Sequence, residues 1–542
     1  MLYCSRVFQT EGRYVYWTWI VAGTLVALVL GWALAPYVHS FFYRPAPGSF
    51  PAEFQREKSL VSRMLSFRPE GHSIAYTLRK PWRIALYLRK YRIVKYGIAP
   101  DELDYFNRQR GLFRALQRRP LLPADQPSAR LALVGDMMWI RTNRSHFLQP
   151  NVLAYLKTFD AVIGNLETPI DTNEPPVEWY KLDAAKFNSD PALLESFHNP
   201  DTNRNVLAAL SLANNHVFDR GDDGARRTLA LLDRMEIRHT GVHEPAEAHP
   251  DLAIFERNGI RFGLYGAAYG YNDPSYRSTL RFNQVPGLAP WPYRRDRIDL
   301  TDLTAAVDAM DRAGVDFRIL YLHWGHEFEL YPTPVQVQLG RKLAALGFDL
   351  VAGSHSHVLQ PSEICFVNGY EKLAARQLGA DCEALQAGRG CVIEGRGNRP
   401  RKSLIHYSLG NFTTAMLYWE TKIGAIQSLR VQKDPTTGWT DWDMPDTEFV
   451  YNPLAIHNEG RKEVALLSHY VIENEARLRS WYPRHRRIMG YLFRHMLEPM
   501  SPADLSLRAN DWDFERLLDW ARQRRSSDAE AAVRPIHRRP LP

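Results

Sequence analysis

The 542-residue sequence has few cysteines, no internal repeat and no glycine-rich phosphate-binding loop. With four cysteines and no Cys-x-x-Cys pair, it offers neither a thioredoxin-like motif nor a zinc ribbon. The missing glycine-rich loops exclude a P-loop NTPase and a dinucleotide-binding domain, and the missing repeat excludes a solenoid. The remaining composition, 45% hydrophobic and 24% charged, is typical of a globular protein and excludes a disordered chain.

The chain is basic, with a formal net charge of +8 and a pI near 9.1. Most of the excess lies outside the central region, so we predict no nucleic-acid partner. An anionic membrane surface or an acidic polymer fits this charge. The segment 39–128 is a basic juxtamembrane stretch that ends in a proline-rich linker. Its residues 78–92 mix cations with aromatic and aliphatic side chains, which is typical either of a helix on the membrane surface or of a helix packed on the main domain.

One stretch, residues 17–38, is strongly apolar and contains no charged residue. About 20 apolar residues suffice for a helix that crosses a bilayer. We therefore predict a transmembrane anchor at 17–38 after a short tail at 1–16, with a cleaved signal peptide as the alternative. Arginines lie on both sides of the stretch, so the positive-inside rule does not decide its orientation.

Three of the four cysteines, Cys365, Cys382 and Cys391, fall in the segment 363–402. This segment interrupts the pattern of strands and is predicted to be a surface insertion. Three cysteines allow one disulfide with one left over, and the sequence leaves the pairing open. A disulfide would require an oxidising compartment.

Between residues 129 and 425, short apolar strands end in polar clusters, and helical segments lie between several of them. The carboxyl ends of parallel strands face one crevice in an open sheet, so the pattern predicts an α/β domain with one shared site. The clusters are Gly135-Asp136, Asn165-Leu166-Glu167, Asn214-Asn215-His216, His323 to Glu327, His355-Ser356-His357 and Gly410-Asn411.

The side chains at these strand ends are of the types that bind divalent metals. Carboxylate, amide and imidazole ligands together suit manganese, zinc or iron. Two metals about 3.5–4 Å apart need a bridging carboxylate and terminal ligands on each side. Each residue alone could be structural, but their joint occurrence predicts a centre for two divalent metals. The predicted ligands are Asp136, Glu167, Asn215, His323, His355 and His357.

Taken together, these stretches resemble the CapA family of poly-γ-glutamate capsule biosynthesis proteins, which are similar in fold to calcineurin-like metallophosphoesterases. The resemblance covers about residues 130–421. It implies an α/β fold, a two-sheet metallophosphatase-like sandwich flanked by helices. The matching motifs are Gly135-Asp136, Asn165 to Pro169, Ala213 to His216 with Asp219 and Gly221, Leu322 to Gly325 with Glu327, Gly353 to Pro361, and Tyr407 to Phe412.

The resemblance also implies a role for each residue. One metal would be held by Asp136 and His357, the other by Asn215, His323 and His355, with Glu167 between them. His216 would act with Asn215 in catalysis by protonating the leaving oxygen. Substrate binding would fall to Asn165, Asn214, Glu327 and Asn411. Two positions depart from the phosphoesterases, which carry a metal-binding histidine at Met138 and an aspartate at Glu167.

We therefore expect a membrane-anchored, metal-dependent hydrolase that acts in the synthesis, attachment or export of a capsule-like polymer. The resemblance places it in the cell membrane as a single-pass protein, with the catalytic domain on the extracytoplasmic side. Its substrate would be an anionic polymer or a phosphoester, and its partners would be membrane polymer-synthase subunits. The alternatives are a non-catalytic assembly subunit and an amide hydrolase that acts on the polymer. Residues 426–542 are expected to form a helical extension with a basic tail.

Overall fold

The computed structural model describes residues 105–109, 112–113, 116, 121–138, 147–175, 186–247, 249–273, 276–288, 298–378, 391–416, 418–444, 447–453, 463–496 and 513–533. Cys382 and the predicted transmembrane helix at 17–38 lie outside these ranges. Within them, no helix combines the length and the apolar character that crossing a membrane would require.

Two large β-sheets form the centre of the fold, and two short ribbons accompany them. The strands, in chain order, are β1 (Ser128–Met137), β2 (Ala161–Leu166), β3 (His198–Asn199), β4 (Arg204–Asn205), β5 (Leu207–Ser211), β6 (Arg238–Thr240), β7 (Val242–His243), β8 (Ala253–Arg257), β9 (Ile260–Ala268), β10 (Arg281–Phe282), β11 (Phe317–His323), β12 (Leu350–Ser354), β13 (Ser362–Val367), β14 (Cys391–Ile393), β15 (Arg401–His406), β16 (Asn411–Thr413), β17 (Ile423–Lys433), β18 (Thr440–Asp443), β19 (Thr447–Tyr451) and β20 (Ala465–Leu466).

One helix shows clear sequence signals at both ends. The one between the two histidine strands begins at a capping box built by Thr333 and Gln336 and ends at Gly347, which has a φ of +134°. The helices are α1 (Pro150–Leu156), α2 (Ala192–Glu195), α3 (Gly221–Arg234), α4 (Thr301–Arg312), α5 (Pro334–Leu346), α6 (Tyr370–Leu378), α7 (Leu467–Glu473), α8 (Glu475–Met496) and α9 (Phe514–Val533), with a 3-10 turn at Trp419–Lys422.

The first sheet has the strand order β20-β19-β17-β1-β2-β5-β6, with β16 beside β1 and β18 beside β17. Its strands β1, β2, β5 and β6 run parallel. The second sheet has the order β14-β13-β15-β12-β11-β9-β8, and β9, β11, β12 and β15 run parallel. The predicted α/β fold with flanking helices is therefore confirmed, and the parallel strands of each sheet end on one side.

The two sheets pack face to face because the central strands are apolar on both sides. In β1, Leu131 and Leu133 belong to the core between the sheets, whereas Ala132 and Val134 belong to the core under α1 and α3. A polar contact fixes the sheets relative to each other. The hydroxyl of Tyr321 on β11 donates to the backbone carbonyls of Val134 at 3.1 Å and Ile163 at 2.8 Å. This pairing brings the strand ends of both sheets to one crevice.

The fold continues across residues 129 and 425, the predicted limits of the central domain, and the division into domains stays a prediction. Strand β17 crosses the second boundary and pairs antiparallel with β1, with Leu131 opposite Leu429. At the other boundary, the apolar side chains described between 105 and 116 are buried in the core; Phe106, for example, is 3% exposed. Helices α7 to α9 lie within residues 426–542, the predicted C-terminal extension.

The segment 363–402, predicted to be a surface insertion, contributes strands β13 and β14 to the second sheet. Strand β13 is buried and pairs antiparallel with β15, while β14 pairs with β13 at the edge of the second sheet. The register places Cys365 opposite Cys391, and the two form a disulfide with a Cα–Cα distance of 4.5 Å. The segment interrupts the parallel pattern because it extends the sheet with an antiparallel strand.

Candidate metal centre

Asp136 lies at the end of β1, fully buried between the two sheets. The residue before it, Gly135, has no room for a side chain, because a β-carbon there would lie 1.9 Å from the carbonyl oxygen of Gly410. One carboxylate oxygen of Asp136 accepts a hydrogen bond from the Asn165 amide at 2.8 Å, and the other accepts one from the backbone N–H of His355 at 2.9 Å. Neighbouring strand ends of both sheets thus fix the orientation of this carboxylate.

Glu167 follows β2 and is fully buried. Among the described residues, neither of its carboxylate oxygens has a hydrogen-bond partner. Its nearest ionisable neighbours are His323, whose Nε2 lies 3.3 Å from one oxygen, and His357, whose Nδ1 lies 3.8 Å from the other. A buried carboxylate without hydrogen bonds is costly unless a cation compensates it. This carboxylate therefore fits a position between two metals.

His323 ends β11 and lies between the sheets with its Nε2 directed at Asn215, whose side-chain oxygen is 2.7 Å away. Its other nitrogen, Nδ1, lies 2.9 Å from the hydroxyl oxygen of Ser354. Ligand histidines are commonly held at the second nitrogen by such a partner. The side chain of Asn215 is held in turn, because its amide donates to Asn272 at 2.9 Å.

His355 and His357 lie in the loop that follows β12, and both have left-handed backbones, with φ values of +90° and +59°. Non-glycine residues rarely adopt this conformation, and such strain is typical of functional sites. It directs the two buried imidazoles to different neighbours. His355 groups with Glu167 and His323, whereas His357 groups with Asp136 and Glu167, each set having ligand atoms within 4.8 Å of one another.

The structure therefore brings all six predicted ligands into one cluster, with Glu167 common to both groups. The donor set of carboxylate, imidazole and amide atoms suits divalent metals. Buried groups of this kind, with unpaired carboxylate oxygens at the centre, are compatible with metal binding. The number and identity of the metals stay predictions.

The charges in the cluster perturb its titration in the metal-free state. Burial and the charge of Asp136 raise the pKa of Glu167 well above its usual value. Burial alone would lower the pKa of His357, but the charges of Glu167 and Asp136 raise it to about 9. Burial opposes ionisation of Asp136, yet its contacts with His357 and the charge of His323 hold the pKa of Asp136 below its usual value.

His216 lies beside the cluster, 7% exposed. Its Nδ1 is 2.6 Å from a carboxylate oxygen of Asp219, and its ring stacks on Phe187 with centroids 3.7 Å apart. Burial alone would lower the pKa of His216, but the charge of Asp219 raises it above its usual value. A protonated imidazole next to the cluster can donate a proton to a leaving group.

The four residues expected to bind substrate lie at or beside the ligands. Asn165 holds Asp136, and Asn214 donates to the carbonyl of Leu166 at 2.7 Å. The side-chain oxygen of Asn411 lies 3.1 Å from Nδ1 of His357. Glu327, half-buried, forms a group with His355 and His357. These contacts orient the cluster, and substrate contact by the four residues stays a prediction.

Sequence reasoning missed several residues that support the site. Ser354 fixes His323, and Asn272 contacts both Asn215 and His216, its amide nitrogen lying 3.2 Å from Nδ1 of His216. Tyr269 lies with its ring centroid 4.9 Å from that of His355. Ser354 could have been found as the last residue of a histidine strand. Asn272 carries no local signal, since it lies in a loop after β9.

Comparisons with known proteins agree with this description. The profile of the family described as bacterial capsule synthesis protein PGA_cap matches residues 130–416, more than half of the chain. The capsule biosynthesis protein CapA of Bacillus anthracis is 25% identical over 58% of this chain and 67% of its own length. The PGA biosynthesis protein CapA of Bacillus subtilis is 24% identical over 51% of this chain and 59% of its own. A probable polyglutamine synthesis accessory protein of Mycobacterium tuberculosis is 30% identical over 28% of this chain and 40% of its own length.

Solved structures give weaker likenesses. A novel phosphatase from Mycoplasma pneumoniae is 11% identical with a TM-score of 0.30, covering 60% of this chain and 93% of its own. The sulfate thiohydrolase SoxB of Thermus thermophilus is 13% identical with a TM-score of 0.28, and the match covers 67% of this chain and 62% of SoxB. Scores this low support no conclusion about this chain. The family profile does, and it confirms the resemblance seen in the motifs: the chain belongs to the bacterial capsule synthesis protein family PGA_cap.

Proposed function

We propose that this protein is a metal-dependent hydrolase that acts in the assembly of a poly-γ-glutamate-like capsule polymer. The observation that carries the proposal is the buried carboxylate of Glu167, which has no hydrogen bond among the described residues and lies between two groups of metal-ligand side chains. The names of the relatives from Bacillus support the polymer, since both name capsule or PGA biosynthesis.

The chain's own residues would divide the work as follows. Asp136, Glu167, His323, His355, His357 and Asn215 would hold two divalent metals. When bound, such metals lower the pKa of water and stabilise negative charge that develops on a phosphoryl or carbonyl group. His216 would donate a proton to the leaving group, and Asp219 would keep its imidazole oriented by the contact at 2.6 Å. Phe187 covers the ring of His216.

We also propose that the protein works on the extracytoplasmic side of the cell membrane, anchored by residues 17–38. The disulfide between Cys365 and Cys391 supports this location, because disulfides persist in oxidising compartments. Membrane polymer-synthase subunits are the partners that this location suggests.

A non-catalytic assembly subunit is the second candidate, and Met138 favours it. This side chain, 2% exposed, offers only a thioether beside Asp136, and its sulfur lies 3.9 Å from the hydroxyl oxygen of Thr414. Soft thioethers are poor ligands for hard divalent metals. The ordered pair of His216 and Asp219 favours the enzyme, because an assembly subunit has no need of an oriented acid.

The test combines metal analysis with turnover on one preparation of the full chain. Manganese content and hydrolysis of a phosphomonoester, a phosphodiester and poly-γ-glutamate would be measured for wild type, His216→Gln, His355→Ala and the control His198→Ala. His198 lies exposed on the β3–β4 ribbon. We expect His216→Gln to keep its metal and lose roughly 10²–10⁴-fold in kcat.

The other variants separate the two candidates. His355→Ala should lose metal and turnover, and His198→Ala should match wild type in both. Bound metal without turnover on any of the three substrates would reject the hydrolase in favour of the assembly subunit. Turnover of poly-γ-glutamate alone would identify the enzyme as an amide hydrolase.

A further inference from the structure

The two halves of the metal cluster have unequal numbers of protein ligands. Three terminal ligands, Asn215, His323 and His355, lie on one side of Glu167, and two, Asp136 and His357, lie on the other. Divalent metals of this class take four or more ligands. With Glu167 shared, the first half is complete and the second is one ligand short. Met138, next to Asp136, is unsuited to complete it, for the reason given above.

Glu327 approaches His357, the histidine of the short half, and also His355. One of its carboxylate oxygens and one ring nitrogen each of His355 and His357 all lie within 4.8 Å of one another. Glu327 is half-buried, whereas both histidines are buried. Its carboxylate therefore approaches the histidine pair from the more open side of the cluster.

The backbone holds Glu327 in this place. The loop after β11 turns at Gly325, which has a φ of +85° and where a β-carbon would lie 2.3 Å from the side-chain nitrogen of Gln336. It turns again at Phe328, with a φ of +64°. The N–H of Phe328 donates to the carbonyl of Ser356 at 2.7 Å. Because Ser356 lies between the two histidines, this bond ties the Glu327 loop to the histidine loop, and the carboxylate is positioned before any metal binds.

We propose that Glu327 is a seventh ligand of the metal centre, an oxygen donor that completes the half held by Asp136 and His357. The inference rests on the proposed two-metal function and goes beyond it, since the sequence suggested a substrate contact for this residue. A carboxylate in place of a neutral ligand also adds negative charge to the centre. It thereby favours hard cations such as manganese over softer ones.

The test measures metal binding and does not depend on turnover. Full-length wild type, Glu327→Gln and the control Glu329→Gln would be stripped of metal and titrated with Mn²⁺ by calorimetry, with metal content checked after dialysis. Glu329 is 5% exposed and lies two residues further along the same loop, so its substitution removes an equal charge close by. We expect two Mn²⁺ per chain in wild type and in the control. In Glu327→Gln one Mn²⁺ should stay tight and the other should bind at least tenfold more weakly, since even indirect partners of a metal contribute about 10–100-fold.

Each outcome decides the question. Wild-type affinity for both Mn²⁺ in Glu327→Gln would overturn the inference and return Glu327 to substrate binding, with the proposed hydrolase intact. Failure of the wild type to bind any metal would overturn the proposed function together with the inference. Near-UV circular dichroism of the metal-free proteins controls for folding. Should Glu327→Gln lose its spectrum, Glu327→Asp replaces it: this variant keeps the charge and withdraws the oxygens by one methylene. Weaker binding of the second Mn²⁺ by Glu327→Asp supports Glu327 as a metal ligand, and wild-type affinity in this variant rejects that role.

Discussion

Glu363 is the centre of a buried network that connects the residues before the first sheet to the second sheet. It is fully buried on β13. Its carboxylate accepts hydrogen bonds from the hydroxyl of Tyr105, from Nε of Arg341 at 2.8 Å and from the hydroxyl of Tyr407 at 2.5 Å. Nη2 of Arg341 also donates to the Tyr105 hydroxyl at 2.8 Å. Tyr105 lies in the stretch expected to be a juxtamembrane linker, so this network tests whether that stretch is part of the folded domain.

Two substitutions should destabilise the domain by different amounts. Tyr105→Phe removes the hydrogen bond to the Glu363 carboxylate and the one that the Tyr105 hydroxyl accepts from Arg341, and it leaves two donors on Glu363. We expect a loss of about 1.5–3 kcal/mol in the free energy of unfolding. Glu363→Ala removes the acceptor of two buried hydroxyls and leaves the Arg341 guanidinium without its partner. Breaking a buried pair in this way costs about 3–5 kcal/mol. Tyr271→Phe is the matched control, because its hydroxyl donates to the neutral carbonyl of Tyr276 at 3.0 Å, a bond worth about 1 kcal/mol.

The assay is urea unfolding of the full chain, followed by tryptophan fluorescence, with equal slopes required before midpoints are compared. The expected order of stability is wild type, then Tyr271→Phe, then Tyr105→Phe, and last Glu363→Ala. In a double-mutant cycle, the Tyr105 substitution should cost little once Glu363 is absent. The reasoning is refuted if Tyr105→Phe costs no more than Tyr271→Phe, because residues 105–116 would then not be docked on the domain in solution.

Two further predictions concern the metal centre and the disulfide. Metal affinity should rise about tenfold per pH unit from about pH 6.5 towards pH 9. The reason is that His357, whose pKa is raised to about 9, holds a proton below that pH and must release it to bind a metal. Mn²⁺ titrations at three pH values would show this rise, and an affinity that does not change with pH would contradict it. Replacing Cys365 and Cys391 by serine should lower the free energy of unfolding by about 3.5 kcal/mol, since the disulfide closes a loop with a sequence separation of 26. An unchanged urea midpoint under non-reducing conditions would argue against a stabilising disulfide.

The candidate ligands could be predicted to lie together because local sequence places them. A short apolar strand that ends in a polar residue directs that residue to the carboxyl edge of a parallel sheet, wherever the strand lies in the chain. Asp136, His323 and the histidines after β12 follow this rule, and the structure brings them together. The family followed from the order of these motifs for the same reason.

Strand pairing between distant parts of the chain could not be predicted, because local patterns do not show which strands become neighbours. The strand β17 lies beside β1 in the middle of the first sheet, although the two strands are far apart in the sequence. The segment 363–402 departs from the parallel pattern, and only the pairing of β13 with β15 makes it part of the second sheet. Phe106 is apolar within a basic stretch, and its burial depends on ring contacts with Tyr331 and Tyr407.

The sequence by itself thus determined the fold class, the family and the six ligand candidates, since strand periodicity and residue chemistry are local properties. Tertiary structure alone decided which residues support those ligands and how the ligands divide. Asn272, in the loop after β9, contacts Asn215 and His216. Glu327 lies near His355 and His357 because a backbone hydrogen bond joins the loop after β11 to the loop after β12. No local pattern encodes such contacts, because they arise only when strand ends that are far apart in the chain converge in the fold.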